Sequence, residues 1–371
     1  MKAVLASFRA EWRGMFADPQ VRLILLLSLV IYALIYPLPY RAEVLRDVPV
    51  VLVDLDRSTS SAELARRVDA SEAVALTEDA PDMVVATRLV QARKAYGVMV
   101  IPEGFERALL RGNQSPVALY GDASYFLMYQ RVMQGAGVPL RQMGAEVEIG
   151  RLIGQGTAPE VALAQVSPVS QVEVPLFNPV AGYATYVLPA AFVLILQQTM
   201  LMGLALVATR RGPSDMHPIW RLIGRMLAWT IAYAGILPVY LIVLPWVYGL
   251  PHLGETASVL FLGLPFVLAT GLLAQIVAAI FRRGEVVQVV LLAVGLPFFF
   301  LSGFAWPVEA IPPGLNLVAQ VIPSTPAIDA LVRVTQMGAS LADLQSGLWH
   351  LWGLTACFAC IALLTERPRR F

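Results

Sequence analysis

The string VVLVDLDRST places two acids, Asp54 and Asp56, one residue apart at the end of an apolar run. One carboxylate of such a pair can attack a phosphoryl group while the other handles a proton. No later lysine with paired acids completes such a site, and the same carboxylates equally end a strand and offer oxygens to the start of the next helix. Other chemistry is scarcer. Lys2 and Lys94 are the only lysines and neither follows a glycine, which excludes a phosphate-cradling G-x-x-x-x-G-K-S/T loop. If this protein moves something uphill with ATP, the ATP and its Mg must therefore be bound by another polypeptide. His217, His252 and His350 are scattered along the chain, against a metal site, and no H-E-x-x-H or nucleophile elbow is present. Cys357 and Cys360 stand in the last apolar run, where C-x-x-C reads as two small buried residues and not as a redox or metal pair. The expected catalytic, cofactor-binding and metal residues are none.

Composition explains this poverty. With 57% hydrophobic and 14% charged residues, the chain carries far fewer charges than the roughly 25% usual in soluble domains. A net charge of +1 points to no nucleic-acid partner. The fold class is an α-helical membrane protein with six transmembrane helices, plus an α/β extracytoplasmic domain inserted between the first and second helices.

Residues 1–20 set Val4, Leu5, Phe8, Trp12, Met15 and Phe16 at helical spacing against Lys2, Arg9 and Arg13, an amphipathic interfacial helix separated from the next by Asp18 and Pro19. Residues 21–40 form the first span, a retained anchor since no small-residue cleavage site follows. Residues 41–178 alternate strand-like and helical runs, the pattern of an α/β domain. VPVVLVDLD reads as a buried strand, and TSSAELARRV as a helix with Ser60 as N-cap and Glu63 closing a capping box. A long helix over 124–154, bent at Pro139, connects onward, and SQVEVP reads as a returning strand.

Residues 179–371 form a five-helix block with spans at 181–209, 226–254, 256–281, 286–308 and 344–365. Its turn 209–225 carries Arg210, Arg211, Asp215, His217, Trp220, Arg221 and Arg225. Trp220 lies among Pro218, Ile219 and Leu222, an aromatic beside arginines of the kind enriched at protein interfaces. Residues 303–326 are too proline-rich for one straight helix and too apolar for a free loop, so they read as re-entrant helices; Ser302, Gly303, Phe304, Trp306 and Pro307 begin them. Segments on the side of the termini hold thirteen Lys or Arg in 1–22, 209–225, 282–285 and 366–371, whereas 249–255 and 309–343 hold only Arg333. That asymmetry puts both termini in the cytoplasm and 41–178 outside.

Polar residues inside spans must find a partner or a wet cavity. Gln197, Gln198, Gln275 and Gln288 are therefore candidates for a translocation path, with interhelical hydrogen bonds as the alternative. No charged pair stands within the spans, which favours an amphipathic or lipid-like cargo over an ionic one.

The arrangement resembles the type-2 ATP-binding-cassette exporter permeases, carried by VDLDRST, GVMVIPEGFERALLRG, LYGDASYFLMYQ and SGFAWPVEAIP. VDLDRST alone also resembles the nucleophile motif of haloacid-dehalogenase phosphatases, with Ser58 where that family has threonine or valine. The permease likeness covers essentially the whole chain. It implies a permease subunit that moves substrate out of the cytoplasm or inner membrane of a bacterium, working with cytosolic ATPase subunits and a second permease copy or paralogue. It further implies that 209–225 couples to the ATPase, and that a periplasmic adaptor and an outer-membrane channel can join the assembly, all within membrane lipids. TRRGPSDMHPIWRLIGR departs from the more acidic string many relatives carry, Asp215 being its only acid. A membrane-anchored receptor or assembly factor is the rival, though one span would serve it.

Overall fold

Helix α1 (Lys2–Ala17) stops where Asp18 caps the following helix, its carboxylate accepting from the amides of Gln20 at 2.9 Å and Val21 at 3.4 Å. Pro19 occupies the first helical position, where a missing N–H costs nothing. Helix α2 (Pro19–Tyr40) follows, with a π-helical turn at Leu23–Ser28. The computed structural model describes residues 2–169, 173–210 and 216–365. The chain divides into two compact units, 1–43 with 175–371, and 44–174.

The 44–174 unit is a sheet clad in helices. Its elements are β1 (Val48–Asp54), α3 (Thr59–Asp69), β2 (Val74–Asp79), α4 (Met83–Gln91), β3 (Gly97–Ile101), α5 (Phe105–Leu110), β4 (Ala118–Gly121), α6 (Phe126–Gly154) and α7 (Pro159–Val166). The strand order is β2-β1-β3-β4, with β1 parallel to both neighbours and β4 antiparallel to β3. A central parallel strand is covered on both faces, which is why VPVVLVD is nearly all apolar. Val48, Val50 and Leu52 pack with Leu64, Val68, Val132 and Ala136, while Val51 and Val53 pack with Ala86, Ala95 and Val98. Helix α6 lies flat on the sheet: a Cβ on Gly97 would stand 2.6 Å from Val132 Cγ1, so only glycine allows this approach. Pro139 sits inside an unbroken α6. Of the expected return strand SQVEVP, residues 170–172 lie outside the described residues and 173–175 carry no strand.

The other unit continues with α8 (Tyr183–Arg210), α9 (Pro218–Val247), α10 (Thr256–Phe281), α11 (Gly284–Leu301), α12 (Pro313–Ala319), α13 (Ser324–Met337) and α14 (Leu341–Thr365). Among the described residues six helices are long and apolar enough to cross a membrane, or seven if α12 and α13, bent by 79°, count as one broken span. Helix α8 is the hub, 83% of its most apolar stretch being buried against 11% for α11. Two boundaries differ from expectation. Helix α9 begins at Pro218, ahead of its apolar run, because hydrogen bonding extends through the basic stretch; α11 ends at Leu301, where Ser302 and Gly303 turn the chain.

Candidate coupling site

Ser7, Glu11 and Met15 form a buried stripe along α1, one turn apart. Phe8 stacks on Trp12 with ring centroids 5.7 Å apart, and Trp12 meets Phe16 at 5.5 Å. The stripe docks on the first turns of α9. Ser7 donates to the Arg221 carbonyl at 2.9 Å, and an added Cβ on Gly224 would fall 2.5 Å from Ser7 Cβ. Deeper in, Arg225 Nε donates to Glu11 Oε1 at 2.6 Å and Trp229 Nε1 approaches Glu11 Oε2 at 3.4 Å. Arg225 also donates to the Gln275 side chain of α10. At the other flank Arg210, the last residue of α8, grips Asp18 and Gln20. Burial pulls the Asp18 carboxyl up, but Arg210 and the amides of Gln20 and Val21 outweigh it and hold its pKa below the usual carboxylate value.

These contacts bear on the turn residues singled out above. Arg211 and Asp215 lie outside the described residues. His217 and Trp220 are exposed, Trp220 by 45%. Arg221 is half-buried, and Leu222 points inward. Arg225 corrects the expectation of a surface arginine: it is 3% exposed because its helix face packs on α1 and α10. Arg225, inside the span-length helix α9, pairs with Glu11, which precedes the first span-length helix.

The four glutamines tie helices together. Gln197 accepts from the Ser324 amide at 2.7 Å, Gln198 donates to the Leu291 carbonyl at 2.7 Å, and Gln288 donates to the Met202 carbonyl at 2.9 Å. Ser302 is buried and donates to the Phe299 carbonyl at 2.6 Å. Gly303 takes a positive φ of 78°, and Tyr186 donates to the Phe304 carbonyl at 2.6 Å with the two rings 4.6 Å apart. Trp306 and Pro307 are exposed. The bent pair spans 313–337, beginning and ending later than the expected 303–326.

Asp54 and Asp56 bind loops. Asp54 accepts from the amides of Asp56 at 3.0 Å and Arg57 at 2.9 Å and from the Ser61 hydroxyl at 2.7 Å. Asp56 accepts from the amides of Gly104 at 2.7 Å and Glu106 at 3.0 Å. The N-cap of α3 is Ser58, boxed with Ser61, and not Ser60 with Glu63; Ser60 instead donates to Glu106 and Glu63 pairs with Arg66 and Arg67.

The model of the ABC-2 family transporter proteins matches residues 20–364. The chain belongs to this family. It is also 23% identical over 361 residues to proteins named "Probable multidrug ABC transporter permease YbhR" in Escherichia coli strain K12 and in Escherichia coli O157:H7, with 94% of this chain and 94% of each relative covered. As a family member the chain is a multipass membrane permease. In this ABC-2 protein the residue that sequence reasoning missed is Glu11. Its signal was an acid one turn from Ser7 and one turn from Met15 on a helix whose other charges are basic.

Proposed function

We propose that this chain is the permease subunit of an ATP-binding-cassette exporter in a bacterial inner membrane. It crosses six times, with both termini cytoplasmic and the 44–174 unit periplasmic. Two permease halves, copies or paralogues, surround the path, and two cytosolic ATPase subunits bind ATP with Mg and press on the turn between α8 and α9. An adaptor and an outer-membrane channel engage the periplasmic unit. The segment from Ser302 to Pro307 gates the outer end. In the present conformation the glutamines are ties, and they line the path when those ties exchange during turnover. Small amphipathic compounds are the favoured cargo, in keeping with the multidrug naming of the relatives.

The observation that carries coupling is that the α1–α2 corner holds both flanks of the turn, Arg210 on one side and Arg221 to Arg225 on the other, while His217 and Trp220 stay exposed between them. His217→Ala with Trp220→Ala removes exposed side chains only, so the permease is expected to insert at normal abundance. Co-purification of the ATPase should weaken by about thirtyfold, a hot-spot loss of about 2 kcal/mol. A complex of undiminished strength with normal export would reject the docking role.

A further inference from the structure

Glu11 is 0% exposed and Arg225 is 3% exposed, so both charges have left water. Replacing such a buried pair by well-packed apolar residues is often neutral or stabilising, so stability is a weak reason for keeping the two charges. Position is a stronger one. Glu11 lies ahead of the first span, Arg225 two turns into the third and Gln275 in the fourth, and one guanidinium reaches both partners. The two bonds are unequal. Leaving Glu11 strands a buried charge, whereas the contact with Gln275 is to a neutral amide that another polar group can replace. Close packing reinforces the stronger bond, since Ser7 sits on Gly224 with no room for a Cβ, and Trp229 adds its indole N–H to Glu11.

We propose that Glu11 is a positioning residue for energy coupling. With Arg225 it fixes α1 to the head of α9 as one rigid lever, and the Arg225–Gln275 bond is the one exchanged when the turn between α8 and α9 is displaced. This rests on the permease reading above. A push on the turn then moves α1 and α9 together against α10, and does not dissipate in a hinge between α1 and α9.

The test uses the full-length permease with its co-expressed ATPase subunits in proteoliposomes, with Cys357→Ser and Cys360→Ser throughout. Glu11→Cys with Arg225→Cys removes both charges together and so strands neither. Before linking, permease-dependent ATP hydrolysis is expected to fall at least about fivefold, the lower end of coupling between linked sites. Joining the two thiols with a short bis-methanethiosulfonate should restore most of it, while permease abundance and co-purification of the ATPase stay the same before and after linking, as they would not if the pair only held the fold together. Full hydrolysis without the link, or loss that the link fails to repair, would overturn the lever. Glu11→Arg with Arg225→Glu is the second variant and should also recover hydrolysis; failure of both variants to insert would reduce the pair to a folding element and overturn the proposal as well. Absence of permease-dependent hydrolysis from the wild type itself would remove the permease reading, and this proposal with it.

Discussion

Asp56 shows how a residue with the look of a reaction centre is absorbed by its own backbone. The Ser58 hydroxyl and the amides of Glu106 and Gly104 hold its pKa below the ordinary carboxylate value. A depressed folded-state pKa means that its contribution to stability is complete above the ordinary carboxylate range and fades as pH falls through the lower folded value. Wild-type protein should therefore resist trypsin at Arg57 and Arg107 equally at pH 7 and pH 5. Asp56→Asn offers one acceptor where two amides need one each, and should be cut faster at both pH values, as quantified by fragment appearance. Equal resistance of the variant would show that the bonds to Gly104 and Glu106 do not hold the two turns together. The strand-ending role of Asp54 and Asp56 was legible because apolar run, acids and serines are contiguous. Glu11 stood on the apolar stripe with Ser7 and Met15, but its partners were not legible, since Arg225 and Gln275 are distant in the chain.

Among elements, α11 is the most weakly seated of the span-length helices, with only Val287 and Leu291 fully buried. Lipid tails compete for its other side chains, so packing supplies little net drive and hydrogen bonds matter more. Two run in opposite senses: Gln198 of α8 to the Leu291 carbonyl, and Gln288 of α11 to the Met202 carbonyl. Each is worth about 0.6 kcal/mol and up to about 1.7 kcal/mol in a membrane bundle. Gln198→Leu and Gln288→Leu should each cost that much, and together about 1–3 kcal/mol, read as a shift in unfolding by mixed SDS micelles. Stability unchanged in the double variant would mean that these bonds do not seat α11. Span-length helices were legible because apolarity averaged over a window tolerates local errors. The α12–α13 bend was legible in kind but not in extent. Prolines mark where a helix cannot run straight, whereas the end of α13 is set by partners elsewhere, Gln336 donating to the Thr185 carbonyl and the Leu253 amide to the Thr335 carbonyl at 2.7 Å.

For the whole molecule, the charge distribution makes the sharpest claim. The arginines and lysines beside the spans gather on the side of the termini, and translocation of such loops is disfavoured, so the 44–174 unit should face the periplasm and the α8–α9 turn the cytoplasm. The strand order of that unit was not legible, because alternation of strand and helix fixes no neighbours, but the side it occupies is a property of summed charge and needs no contact map. Reporter positions must be exposed and free of a positive φ, or the label would report strain. Asn113 follows Gly112, whose φ is 71°, and is itself exposed; His217 is exposed ahead of α9. With Cys357→Ser and Cys360→Ser as background, an impermeant maleimide added to cells with a permeabilised outer membrane should label Asn113→Cys and spare His217→Cys. Lysing the cells should then expose His217→Cys to the same reagent, which excludes burial as the cause of its silence. Labelling of His217→Cys before lysis together with protection of Asn113→Cys would invert the topology and, with it, remove the α8–α9 turn from reach of any cytosolic ATPase.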